Sequence, residues 1–243
     1  MGKPDNKRIA STVYYSLLTE MTDTQKLIQA VEQAYSPTML IKSVRELAAT
    51  RSEEAIPTLI QVLGYNNPGA AIAAVEGLVT MGDVAVPALL SQIDGYDYGA
   101  RAWSHRALSQ IGNPSALNSL LEAASSDFAL SVRRAAAKGL GHLHWEKLPT
   151  EEIPSAQEKV LDTLMQIAAN DDEWVVRYAA IVGLQSLAGA IQQTFPEGYT
   201  KIVTQLETVV KEDAELAVQA RAQLALKQLN SVNSHQLPIT NNQ

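Results

Sequence analysis

VRRAAAKGL (Val132–Leu140) and VRYAAIVGL (Val176–Leu184) share the frame V-R-x-A-A-x-x-G-L, and related frames run along the chain. An apolar residue eight positions before a leucine also marks AAIAAVEGL (Ala70–Leu78), ARAWSHRAL (Ala100–Leu108) and VQARAQLAL (Val218–Leu226), with a weaker copy at Met39–Leu47. The anchoring leucines are spaced by 31, 30, 32, 44 and 42 residues. A period of a few tens of residues marks stacked supersecondary units, each too small to bury its apolar face alone. Each unit reads as two helices. In IPTLIQVLG (Ile56–Gly64), Pro57 suits a first helical turn and Gly64 a C-terminal cap; Tyr65–Pro68 turns the chain, and Gly69–Met81 is the second helix, ended by Gly82. VPALLSQI followed by ARAWSHRALSQIG, and ALNSLLEAA followed by SVRRAAAKGLG, repeat the grammar. Apolar residues recur every three or four positions, and none alternates with period two over a useful length.

The fold predicted is all-α: an α-solenoid of HEAT-like helix pairs, wound as a right-handed superhelix in which each repeat packs on its neighbours. Residues 21–230 form a single repeat domain of about six units. Residues 1–20 read as an extension outside the core, and 231–243 as a polar tail. The two long spacings are assigned to insertions near 142–158, where Pro149 and Pro154 bracket an acidic surface loop, and near 189–199.

Composition narrows the function. The chain has 243 residues, 46% of them hydrophobic but only 5% aromatic, which favours close helix packing over a β-sandwich. With no Cys, there are no disulfides, thiolate metal sites or cysteine nucleophiles. A net charge of −7 argues against a nucleic-acid binder. No stretch approaches a membrane span of roughly 18 consecutive apolar residues, and residues 9–18 are too polar for a signal-peptide core, so a cytoplasmic protein without membrane insertion is expected. Glycine-rich phosphate loops, a nucleophile elbow and H-E-x-x-H are absent. His142 and His144 are two apart, where helical side chains diverge, and read as partly exposed histidines beside Trp145 rather than a metal site; Glu151 and Glu152 read as a solvated face. No catalytic residue, metal or cofactor is assigned. The residues describe a binding scaffold.

Register separates framework from binding face. Seven positions before the anchoring leucine stand Arg101, Arg133 and Arg177, with Asp94, Asp127 and Asp171 six or seven residues earlier. A residue type recurring in three stacked units reads as framework, so these six form a predicted structural polar ladder, resembling that of HEAT arrays in which such pairs tie turns to the next repeat. Positions six and two before the leucine share one helix face and vary: Ile72/Glu76, Ala102/Arg106, Arg134/Lys138 and Tyr178/Val182. If second helices line the concave side, Arg106, Arg134 and Lys138 make a cationic patch there; ordinary solvated basic residues are the competing reading. Tyr65, Tyr96 and Tyr98 fall in inter-helix turns read as equivalent, with Asp97 between the latter two and Trp103 a helical step on. Such rings either contact a ligand or partner, or pack on each other.

Three strings carry a resemblance: IPTLIQVLGYNNPGAAIAAVEGL (Ile56–Leu78), VPALLSQIDGYDYGARAWSHRALSQIGNPSAL (Val86–Leu117) and DFALSVRRAAAKGLGHLHW (Asp127–Trp145). They resemble the phycobilisome lyases with HEAT-like repeats, nearest to the F (beta) subunits of the heterodimeric E/F type, over roughly residues 21–190. The resemblance implies an E-type partner subunit and attachment of phycocyanobilin, as substrate, to a cysteine of the phycocyanin alpha subunit. The acceptor thiol adds to the ethylidene group of the bilin, so the nucleophile belongs to the acceptor, in keeping with a chain that has no Cys. On this reading Arg106, Arg134 and Lys138 pair with the bilin propionates, Asp97 accepts from pyrrole N–H groups, and Tyr65, Tyr96, Tyr98, Trp103 and Tyr178 complete the bilin-binding set. An isomerising branch associated with a His–Cys pair is disfavoured by the lack of Cys. A non-catalytic scaffold, or an adaptor in phycobilisome degradation, is the alternative.

Overall fold

The helices begin and end where local chemistry directs. Thr22 forms a reciprocal capping box with Gln25, and the Ser36 side chain accepts from the Met39 N–H. Pro37, Pro57, Pro87, Pro154 and Pro196 each stand at the first or second helical position, where a missing N–H leaves nothing unpaired. Gly112, at φ 68°, closes its helix in the left-handed conformation. A computed structural model describes residues 22–93 and 97–235; residues 1–20, Asp94, Tyr96 and 236–243 lie outside the described residues.

The described residues hold α-helices and short 3₁₀ turns, with no strand. They form two compact units divided after Met81. The first contains α1 (Asp23–Glu32), α2 (Pro37–Ala49), α3 (Ile56–Val62) and α4 (Pro68–Met81). Here α2 packs on α4 around Val44, Leu47, Leu59 and Leu78, with Gly77 against Ala48: a Cβ at Gly77 would lie 2.6 Å from the Ala48 Cβ.

The second unit contains α5 (Val86–Ser91), α6 (Tyr98–Ile111), α7 (Leu117–Ser126), α8 (Leu130–Leu140), α9 (Ile153–Asn170), α10 (Trp174–Ile191), α11 (Pro196–Glu212) and α12 (Leu216–His235). The second helices stack in order, α6 on α8, α8 on α10 and α10 on α12, while α7, α9 and α11 form the other layer. The chain is an α-solenoid of HEAT-like helix pairs. Leu108, Leu140 and Leu184 are fully buried. Leu226 is half-buried, because among the described residues no later repeat covers α12. Backbones approach closely where α8 meets α10: a Cβ on Gly183 would lie 2.6 Å from the Ala137 carbonyl oxygen, and one on Gly141 would collide with Gly183.

The long spacings are met mainly by longer helices rather than loops. α9 and α10 have 18 residues each and α11 has 17, against 10 and 11 for α7 and α8. Within 142–158 a 3₁₀ turn forms at Trp145–Lys147 and α9 starts at Ile153; within 189–199, α10 runs to Ile191 and α11 begins at Pro196. Pro154 and Pro196 initiate helices there, which a reading of proline as loop punctuation misses. Likewise α12 continues to His235, into the stretch read as tail. By length and composition, Pro68–Ser91 and Trp174–Ile191 could cross a membrane. The first is interrupted by the 3₁₀ turn Gly82–Ala85, and the second packs on α8 and α9 with Val176, Ala180 and Leu184 in the core.

Arginine–aspartate pairs couple successive repeats. Arg101 Nε and Nη2 donate to Asp127 Oδ2 and Oδ1 at 3.1 and 3.2 Å. Arg133 does the same to Asp171 at 2.9 and 3.1 Å, and Arg177 to Asp213 at 2.8 and 2.9 Å. Side-chain pairing therefore runs from one repeat to the next, while Asp94 lies outside the described residues. Each Arg reaches the Asp of the next repeat. The Asp six residues before Arg133 and Arg177 offers its backbone carbonyl instead, accepting from Nη1 at 3.0 Å (Asp127) and 2.8 Å (Asp171). Asp213, missed in the sequence, stands 13 residues before Leu226, as Asp127 and Asp171 do before Leu140 and Leu184. At the last repeat Gln219 replaces Arg and keeps only the carbonyl bond, to Asp213 O at 2.6 Å. Burial alone would raise the Asp213 pKa, but hydrogen bonds from Arg177 and the Glu215 N–H outweigh it and hold the carboxyl below its ordinary value.

Below the first rung lies His105, fully buried, with Nδ1 2.8 Å from the Arg101 carbonyl oxygen and Nε2 3.4 Å from Ser119 Oγ. Burial pulls its pKa below 6.5, against the raising influence of the Arg101 carbonyl and Asp127.

Two outcomes are expected. Arg133→Ala strands the Asp171 carboxylate and should cost about 3 kcal/mol in urea unfolding, whereas the adjacent Arg134→Ala should cost under about 0.5 kcal/mol. Equal losses would contradict the ladder register. His105 favours its neutral form in the fold, so its stabilising contribution is complete above the unfolded value near 6.5 and is lost as pH falls through the lower folded value. Unfolding free energy should therefore decline from about pH 7 to about pH 5, and His105→Gln should flatten that decline.

Candidate functional site: the exposed face of the second helices

In the second unit, residues ten, six and two positions before each anchoring leucine share one side of their helix. They are Tyr98/Ala102/Arg106 on α6, Leu130/Arg134/Lys138 on α8, Trp174/Tyr178/Val182 on α10 and Leu216/Ala220/Leu224 on α12. Tyr98, Arg106, Leu130, Arg134, Lys138, Trp174, Tyr178, Leu216 and Leu224 are exposed, so the face that varies in sequence is the face left open by stacking. Its cations lie on α6 and α8, beside Tyr98 and Leu130, whereas α10 and α12 present only aromatic and aliphatic groups there. Arg134 and Lys138 have no carboxylate within ion-pair distance among the described residues.

The structure places the remaining candidates more diversely than the sequence does. The Arg106 guanidinium carbon lies 5.2 Å from the ring centroid of half-buried Trp103, a cation–π contact. Tyr98 is the first residue of α6, not a turn residue, and so is not equivalent to Tyr65, which is half-buried in the loop after α3 of the first unit. The difference arises because Asp97 caps α6: its Oδ1 accepts from the Gly99 and Ala100 N–H groups at 2.8 and 3.0 Å. That oxygen is engaged in starting the helix, which is its physical role here. Tyr96 lies outside the described residues.

Phe128, which the sequence reading passed over, is 76% exposed and meets Tyr98 edge to face with ring centroids 6.4 Å apart. The Arg101 guanidinium lies 5.2 Å over the Phe128 ring, so this aromatic pair roofs the first rung of the ladder. Leu130, Trp174 and Leu216 were also passed over. The signal was available: a large apolar residue as the first residue of a second helix, on the side opposite the core. A separate cleft of about 740 Å³ lies between α7 and α9, with Asp162, Gln166 and Asp172 in its wall. It adjoins the ladder carboxylates Asp127 and Asp171, which are already paired. His142 Nδ1 is 2.9 Å from the Lys138 carbonyl and His144 Nδ1 is 3.1 Å from Glu146 Oε1, so the two rings serve different neighbours.

Stacked helix pairs tied by a ladder and presenting an open face define a HEAT-repeat scaffold, and the family model for HEAT repeats matches residues 24–109 and 86–185. The chain is 51% identical over 210 residues to the phycocyanobilin lyase subunit beta of Pseudanabaena tenuis, covering 86% of this chain and 74% of that protein. It is 58% identical over 170 residues to the phycocyanin alpha phycocyanobilin lyase CpcF of Synechocystis sp., covering 70% and 79%. Among solved structures, a chain in the complex of CpcE and CpcF of phycocyanin lyase from Nostoc sp. PCC7120 matches with a TM-score of 0.66 and 54% identity, over 72% of this chain and 99% of that one. The chain belongs to the phycocyanobilin lyase beta-subunit family of HEAT-repeat proteins.

Proposed function

We propose that this chain is the F-type (beta) subunit of a heterodimeric phycocyanobilin lyase. With an E-type subunit it attaches phycocyanobilin to a cysteine of the phycocyanin alpha subunit, in the cytoplasm. The observation that carries this reading is the identity of 51% and 58% to proteins named as phycocyanobilin lyase subunits. The match to a chain solved in a CpcE–CpcF complex supports the need for a partner.

The chemistry asked of the chain is orientation. A thioether forms when the acceptor's thiol adds across the ethylidene double bond of the bilin, the sulfur bonding to carbon and a proton completing the other end. The sulfur comes from the acceptor protein, and this chain has no Cys to compete for it. What a scaffold contributes is a bilin held in one pose, its reactive carbon presented and its other electrophilic positions covered. The open face of α6, α8 and α10 offers the groups for that task. Arg106, Arg134 and Lys138 suit the propionates, and Tyr98, Trp174 and Tyr178 suit the conjugated rings.

Co-expression of phycocyanin alpha, an E-type subunit, this chain and a bilin source should give zinc-enhanced fluorescence on the alpha subunit that disappears when this chain is omitted. An adduct that forms equally well without it contradicts the proposal and favours a scaffold role. Arg134→Glu combined with Lys138→Glu should reduce transfer by at least about tenfold, the worth of one charge-assisted hydrogen bond, with helix content by circular dichroism unchanged. Unchanged transfer would remove this face from the site.

A further inference from the structure

Every ladder guanidinium described above has its carboxylate, but Arg221 on α12 has none among the described residues. It stands five positions before Leu226, where the two preceding repeats carry Ala135 and Ala179, so the stacking of second helices does not call for an arginine there. Its Nη2 donates to Gln185 Oε1 on α10 at 2.5 Å, and its guanidinium carbon lies 6.0 Å from the ring centroid of Tyr178. Nη1 is buried without a hydrogen-bond partner. Gln185 Nε2 in turn donates to Gln228 Oε1 at 2.6 Å. Arg221 is thus a half-buried cation, held by an amide and an aromatic ring, with one face of its fork unmatched. An uncompensated, partly desolvated charge destabilises a fold, and an apolar residue of similar size would stabilise it. A bound anion reverses that balance, since a carboxylate matches the guanidinium fork with two parallel hydrogen bonds.

We propose that Arg221, positioned by Gln185 and the Tyr178 ring, is an anion subsite for a carboxylate of the bound ligand. Under the lyase reading above, on which this rests, that carboxylate is a propionate of the linear tetrapyrrole. The incoming carboxylate replaces the weaker amide acceptor of Gln185, which keeps its existing bond to Gln228, and gives Nη1 its missing partner. The subsite adjoins Tyr178, an exposed ring of the α10 strip, and places a cation on the α12 side of that strip. Arg134 and Lys138 stand on its α8 side.

The test uses the assembled complex with an E-type subunit, and phycocyanobilin as the free diacid and as its dimethyl ester. With the diacid, Arg221→Met should raise KM about tenfold with kcat little changed, and Arg221→Lys should recover part of the loss. With the ester, wild type and Arg221→Met should differ by less than about twofold, because the ligand has already lost the interacting charge. The Tm of the Arg221→Met complex should be equal to or above that of wild type. Equal losses with diacid and ester, an unchanged KM for the diacid, or a lowered Tm would overturn the subsite. Failure of Arg221→Met to co-elute with the E-type subunit would assign the missing carboxylate to that partner, and would also overturn it. A wild-type complex that transfers neither form of the bilin defeats the lyase reading itself. A wild-type complex that transfers both while Arg221→Met leaves the diacid unaffected defeats the subsite alone.

Discussion

The bidentate bond from each ladder arginine to the aspartate of the following repeat governs the rest of the second unit. Helix pairs stacked only through Ala, Val and Leu could slide by a turn at small cost, because such surfaces are smooth and alike. A planar guanidinium on a planar carboxylate permits one register. The same carboxylates accept N–H bonds from Ala129, Glu173 and Glu215 at 2.8, 2.9 and 2.9 Å, so each one links the previous repeat to the start of its own second helix. Gly141 and Gly183 then let α8 and α10 approach backbone to backbone. The polar bond sets register, and the small residues set distance.

That arrangement frees one face of each second helix. Since register and core packing use the other positions, residues ten, six and two before the anchoring leucine are freed from stacking, Tyr98 against Phe128 and Tyr178 against Arg221 being contacts they keep, and there the repeats differ. With cations only on α6 and α8, and aromatic or aliphatic groups along all four second helices, that face suits an elongated, conjugated ligand bearing carboxylates at its edge. Arg221 stands where α8 and α10 carry Ala135 and Ala179, yet a charge is held there by neighbours that only partly satisfy it.

Much of the fold was legible because repetition amplifies weak signals. Five copies of one nine-residue frame locate the second helices, and Leu108, Leu140 and Leu184 are as buried as that frame requires. Two features escaped. Asp213 was missed as the carboxylate of the last rung, although its position 13 residues before Leu226 held the clue. The stretch 142–158 looked like a loop because Pro149 and Pro154 were read as bracketing one, whereas Pro154 opens a helix, as Pro196 does within 189–199. Of the candidate site, the variable face was visible from register. Leu130 and Trp174 were legible from the same register but went unread; Phe128 was not legible, since a single apolar residue just before a helix resembles core until the neighbouring helices are placed. Arg221 and Gln185 could be paired only once α10 and α12 were seen side by side.

The central claim, that the open second-helix face receives the bilin, is tested most directly by a crystal structure of the chain with its E-type subunit and phycocyanobilin bound. The account predicts tetrapyrrole density against Tyr178 and Trp174, with a propionate at a basic residue of α8 or α12. Density in the cleft between α7 and α9, or wholly on the partner with this face dry of ligand, would contradict it.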